Sequence, residues 1–200
     1  MMPYMPAMPR LLALALSLAT LLVTHGAEAA PKKKYHFELA AVNPKADLKP
    51  DVAKAATSRV EAQVGKAFET HPQLVGKLDG APDWKTAAEP YRKFLAKHGL
   101  AGAFLVTVDI TEASEELVPM EGKPNAQRLV VRVAIHMLGE NMPGRTMGFT
   151  GDGKATIKQE IGKTLHERDR QFAWDSAAEA AIADAMVTVF KQLAIPQKKQ

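Results

Sequence analysis

The 200-residue chain contains no cysteine, and that absence excludes disulfides, thiolate metal sites and a thiol nucleophile together. Aromatic residues make up only 6% of it, too few to interleave with basic side chains in a single-strand nucleic-acid groove. The formal charge of +4 is modest, and the bases are dispersed apart from Lys32-Lys33-Lys34 and Lys198-Lys199. Nucleic acid is therefore not an expected partner. The one long apolar run, Leu11 to Val23, has 13 residues, short of the roughly 20 that a membrane-crossing helix needs.

That run follows Arg10 and precedes His25-Gly26-Ala27-Glu28-Ala29-Ala30, with small residues at 27 and 29. The pattern predicts a secretory signal peptide over 1–29 and a single domain over 30–200 with a short basic tail. The expectation is an exported protein, periplasmic or secreted, without a membrane span in its mature form. With no cysteine to carry a lipid, it is expected not to be a lipoprotein. About 170 residues would remain, enough for a core without covalent staples.

Two strand-like runs dominate the mature part. In Gly102 to Glu112, Phe104, Val106, Val108 and Ile110 alternate with Leu105, Thr107, Asp109 and Thr111. In Arg128 to Leu138, the row Leu129, Val131, Val133, Ile135 and Met137 opposes Arg128, Arg132 and His136. One face is core and the other can meet water. The intervening residues 113–127, with Pro119, Gly122 and Pro124, read as a long loop.

The flanking segments follow the same logic. Tyr35 to Val42 alternates as a strand that Asn43-Pro44 ends. Val52, Ala56, Val60, Val64 and Phe68 stripe a helix with Asp51 as its expected N-cap, stopped at His71-Pro72. Gln73 to Leu78 makes a brief strand before the Asp79-Gly80 turn. A second helix is expected from Asp83 to His98, kinked or restarted at Pro90, with Gly99 as its C-terminal cap. Arg145 to Ile157 reads as a strand bulged at its glycines, and Lys158 to Ala173 as either strand end and loop or an early helical turn. A last helix is capped by Ser176 and Glu179 and striped by Ala178, Ile182, Ala185, Met186, Val189 and Leu193.

The order β-α-β-α-β-β-β-α predicts an α/β (α+β) two-layer sandwich, a mixed sheet with helices on one face.

Chemical motifs fall short. Gly148-Phe149-Thr150-Gly151-Asp152-Gly153-Lys154 spells a phosphate loop, but Ala155 stands where Ser or Thr must hold magnesium. His166-Glu167 opens a zinc-protease signature that Arg170 fails to close. Asp152 between glycines lacks the succession of acids of a calcium loop. No catalytic residue, cofactor or metal ligand is assigned on these grounds.

What remains is the water-facing side of the sheet. Arg128, Arg132 and His136 are expected to share it with Thr107, Asp109 and Thr111, and with His36 and Glu38. This face is the candidate surface for another envelope protein or for self-assembly. The alternative is a small periplasmic hydrolase or metal-dependent enzyme built on His36, His136 and nearby carboxylates.

The step from the second helix through Lys97-His98-Gly99-Leu100-Ala101-Gly102-Ala103-Phe104-Leu105-Val106-Thr107-Val108 resembles the helix-glycine-strand passage of a family of bacterial envelope domains. These include the amino-terminal domain of the translocation protein TolB, the curli-secretion lipoprotein domain and the lipoprotein activators of penicillin-binding proteins. The two later strands and the alanine-rich helix Ala177 to Leu193 are similar to the family's last elements. The resemblance implies a two-layer sandwich that binds other envelope proteins and has no catalytic residues. The chain departs from the family in lacking both a lipidated cysteine and a β-propeller.

Overall fold

A computed structural model describes residues 34–195, which fall within one compact unit, Lys32–Gln200. The expected signal peptide and basic tail lie outside the described residues. Strand β1 (Lys34–Pro44) is followed by helices α1 (Pro50–Thr70) and α2 (Ala88–Lys97). Strands β2 (Leu100–Pro119), β3 (Gln127–Asn141) and β4 (Met147–Ile161) come next, then helix α3 (Glu167–Ala194). The sheet order is β1-β2-β3-β4, with β1 parallel to β2 and the other pairs antiparallel. This is the predicted mixed α+β sandwich in the predicted order, the brief second strand being a single bridge from Tyr35 to Leu74.

The core forms where the apolar rows meet two helices. Ala56, Val60, Val64 and Phe68 of α1 are buried, as their spacing of four requires, and α3 adds a row of alanines with Ile182, Met186 and Val189. Phe104, Val106, Val108 and Ile110 of β2 face them beside Leu129, Val131, Val133, Ile135 and Met137 of β3. Helix α2 packs elsewhere. Its Tyr91 and Leu95 cover Ala103 and Met142, with Leu105 partly buried beside them. Ala103 and Leu105 alternate with the core residues of β2, so α2 roofs one end of the opposite face.

Tyr91 is 2% exposed there. Burial, followed by the nearby charge of Glu38, pushes its phenol up to about 12 from an ordinary 10.0. The fold favours the neutral form, so this contribution is complete below pH 10 and is lost as pH rises toward about 12. Urea denaturation at stepped alkaline pH should show stability falling in that window, and Tyr91→Phe should flatten the fall.

Several expected boundaries are corrected. Helix α1 starts with Pro50 in its first turn and Lys49 at the cap, leaving Asp51 inside the first turn rather than capping. Ser176 lies in the middle of α3, because the helix already begins at Glu167; the capping box is not one. Pro90 sits in the first turn of α2, a restarted helix, and Gly99 takes the expected left-handed conformation with φ 67°. Residues 113–127 are mostly strand rather than loop: β2 continues to Pro119, and β3 already begins at Gln127.

Gly148 is the extra residue where the register between β3 and β4 shifts, the bulge expected at the glycines, whereas Gly151 and Gly153 have a different purpose. A Cβ on Gly153 would stand 1.9 Å from the Ala181 carbonyl oxygen, and one on Gly151 2.7 Å from Val189 Cγ2. Glycine here lets α3 lie directly on the strand. Two α3 side chains then satisfy two N–H groups on the outer edge of β4, the Thr150 N–H donating to Gln192 Oε1 at 3.1 Å and the Lys154 N–H to Asp184 Oδ2 at 3.2 Å.

Candidate functional site

Away from α2, the face opposite α1 and α3 carries three parallel rows of polar side chains set by strand register. Thr107 lies opposite Leu138, Asp109 opposite His136, Ser114 opposite Arg132 and Val118 opposite Arg128. On the other side of β3, His136 faces Asp152, Arg132 faces Thr156 and Arg128 faces Glu160. The five residues singled out in the sequence, Thr107, Asp109, Arg128, Arg132 and His136, thus share one face, with His136 between two aspartates. Thr111 is the extra residue of a bulge between Ile110 and Glu112.

Most of the charged groups have a defined partner. His136 donates from Nδ1 to Asp152 Oδ1 at 2.7 Å, and Asn43 Nδ2 donates to Asp109 Oδ1 at 3.0 Å. Arg132 Nη1 donates to Glu116 Oε2 at 3.0 Å, and Lys123 Nζ to Glu160 Oε1 at 2.7 Å. These exposed pairs are worth about 0–1 kcal/mol apiece, so they set the pattern of the face rather than hold the fold. Sequence reading missed Glu116 and the β4 series Asp152, Lys154, Thr156, Lys158 and Glu160. Their signal was a polar residue at every second position, obscured by the glycines.

A further acid belongs to the other layer. Past the bulge the parity of β2 inverts, and Glu115 turns toward α3. It accepts from Arg170 Nε at 3.0 Å and from Trp174 Nε1 at 2.8 Å. Hydrogen bonding to Glu115 raises the Arg170 pKa above its ordinary value. The charged run at 166–170 is tied to the sheet through this contact.

The two histidines of the enzyme alternative are far apart. His36 pairs in register with Ala103 and His136 with Asp109, a separation along β2 of roughly 20 Å at 3.3 Å per residue. His36 donates from Nδ1 to the Val75 carbonyl at 2.8 Å. A site shared by both is therefore corrected: the parallel register of β1 places His36 near one end of the sheet, while His136 lies midway along it. Among the described residues no group of three histidines and carboxylates is placed to hold a metal ion.

Between α1 and α3 runs a groove of about 580 Å³, floored by Ile182, Met186 and Phe190. The Lys66–Glu179 ion pair lines it at 3.6 Å, and the His71 ring stacks on Phe190 at 4.2 Å. It gathers none of the residues singled out in the sequence.

No family model matches the sequence, and no curated protein matches it. Solved structures of similar course include rare lipoprotein B from Shewanella oneidensis, 11% identical, covering 79% of this chain and 100% of that one at a TM-score of 0.39. A minor lipoprotein from Acinetobacter baumannii is 11% identical over 84% of this chain and 98% of that one, with a TM-score of 0.33. A lipoprotein from Neisseria meningitidis is 11% identical over 80% and 98%, also at 0.33. The likeness concerns the path of the chain alone. None of these neighbours is one of the three kinds of protein named for the resemblance.

They also correct the expected localisation. The expectation that the protein is not a lipoprotein is not borne out, since five of the solved structures of similar course, 7–11% identical, are described as lipoproteins. The lack of cysteine concerns one residue's chemistry and does not decide which class of protein shares the fold. Among the described residues no helix is long and apolar enough to cross a membrane.

Proposed function

We propose that this domain is a non-enzymatic envelope module that binds another protein, or a second copy of itself, through the sheet face bearing Thr107, Asp109, Arg128, Arg132 and His136. The observation that carries the reading is the register: three antiparallel strands place acids and bases in fixed alternation on a face that α1 and α3 leave open. A rigid charge pattern of this kind selects partners and speeds encounter more than it adds raw affinity. His136, Asp109 and Arg132 engage neighbours across the strands, and Arg132 lines a pocket of about 350 Å³ with Glu112, Lys154 and Thr156 on the same face.

Arg132 stands at the centre and is the residue to reverse. Arg132→Glu would set a second acid beside Glu116, yet its stability cost should stay within about 1 kcal/mol because the pair is exposed. Crosslinking in the native host followed by mass spectrometry should show a partner with the wild type and about a tenfold loss with the variant. An undiminished crosslink with a folded variant would remove the open face from the account.

A further inference from the structure

The two edges of the sheet are finished differently. At the outer edge of β4 the Thr150 and Lys154 N–H groups are taken by Gln192 and Asp184, and Lys154 and Lys158 lie along it, features that disfavour pairing with another strand. Strand β1, by contrast, stops short. Its last register pair is Pro44 with Ile110, after which Lys45 N–H donates to the Ile110 carbonyl at 3.0 Å and the chain turns away. Strand β2 continues to Pro119, paired with β3 on one side only. No strand of the described residues lies on the other side of Glu112 to Pro119, an open edge of about 26 Å at 3.3 Å per residue.

Along the strand itself the charge is acidic, while Arg132 and Arg128 of β3 stand across the ladder from Ser114 and Val118. From Glu112 to Glu121 there are four glutamates and no lysine or arginine, in a chain of net charge +4. Arg170 and Arg132 engage Glu115 and Glu116, while Glu112 and Glu121 have no ion-pair partner among the described residues. Leu117 and Val118 are 44% and 41% exposed within the same stretch. Two copies pairing here about a two-fold axis would bring glutamates together across the new ladder, which is unfavourable.

We infer that the β2 edge from Glu112 to Pro119 accepts a basic extended segment of a partner protein as a fifth strand. Backbone hydrogen bonds would give affinity, Leu117 and Val118 apolar contact, and the glutamates a preference for lysine or arginine. This rests on the reading of the domain as a binding module and adds where and with what chemistry a partner docks.

The test uses a short synthetic peptide alternating lysine with valine, and a counterpart alternating glutamate with valine. Adding the basic peptide should slow amide hydrogen exchange across residues 112–118 by about tenfold or more. Glu112→Lys combined with Glu121→Lys, both at exposed positions, should weaken its binding about tenfold. Equal protection by the acidic peptide, no protection by the basic one, or protection from self-association without peptide would overturn the inference. A native partner lost on Arg132→Glu while these amides stay unprotected by the basic peptide would overturn the edge alone and leave the open-face reading standing.

Discussion

Gly153→Ala should destabilise the domain by about 3 kcal/mol, an effect far beyond the one methyl group it adds. The new Cβ would stand 1.9 Å from the Ala181 carbonyl oxygen and 2.7 Å from the Ala185 nitrogen, both helix backbone. Backbone cannot turn aside as a flexible side chain can, so α3 must lift from β4. Ala177, Ala178, Ala181 and Ala185 are all fully buried along that contact, and lifting the helix opens the whole seam. At about 3 °C per kcal/mol for a domain of this size, thermal unfolding should move down by about 10 °C. Gly65→Ala supplies the control: nothing lies within 4 Å of its added Cβ in α1, and helix propensity favours alanine by about 1 kcal/mol. Calorimetry of the two variants should therefore give shifts of opposite sign. A Gly153→Ala protein as stable as wild type would mean that α3 does not lie on the β4 glycines.

Phe37→Ala should cost about 3–5 kcal/mol. The Phe37 ring meets Phe68 at 5.4 Å, Phe104 at 5.7 Å, Phe149 at 5.0 Å and Phe190 at 5.9 Å between centroids. It thus joins β1, β2, β4 and both core helices through one side chain. Truncation removes its transfer free energy and leaves a cavity that the surrounding rings, fixed on separate elements, can fill only in part. Phe37→Leu retains most of the volume and should cost less than half as much. The denaturation midpoint in urea, with unchanged slope, measures both. Equal effects of the two substitutions would argue against a filled aromatic centre.

These two sites also show what the sequence makes legible. Phe37 belongs to the alternation Tyr35, Phe37, Leu39, and the α1 stripe at intervals of four is read directly, because the periods of strand and helix bury one side of each. The purpose of Gly151 and Gly153 is hidden, since a glycine that admits a helix and one that permits a bulge look alike in one dimension. The length of β2 was hidden for a related reason. The bulge at Thr111 moves the core-facing positions from Val106, Val108 and Ile110 to Ala113, Glu115 and Leu117, and an inward glutamate breaks the apolar pattern. Only Arg170 and Trp174, more than fifty residues along, explain why Glu115 is tolerated there.

The candidate site divides in the same way. That Thr107, Asp109, Arg128, Arg132 and His136 share a face follows from the period of two once both strands are placed. Which of them are neighbours depends on register, which the bulge resets, and the contribution of β4 required knowing that its glycines sit under α3. The parallel pairing of β1 is equally invisible in composition. It separates His36 from His136 and removes the shared site that residue types alone suggest.

The claim that the sheet face opposite α1 and α3 is the recognition surface is tested most directly by a photocrosslinking residue at Thr156, in register with Arg132, and another at Ala62, exposed on α1. Irradiation in the native host should give a discrete adduct from position 156, whether with another protein or a second copy, and none from position 62. An adduct from position 62 with none from 156 would contradict the account and move recognition to the helical layer.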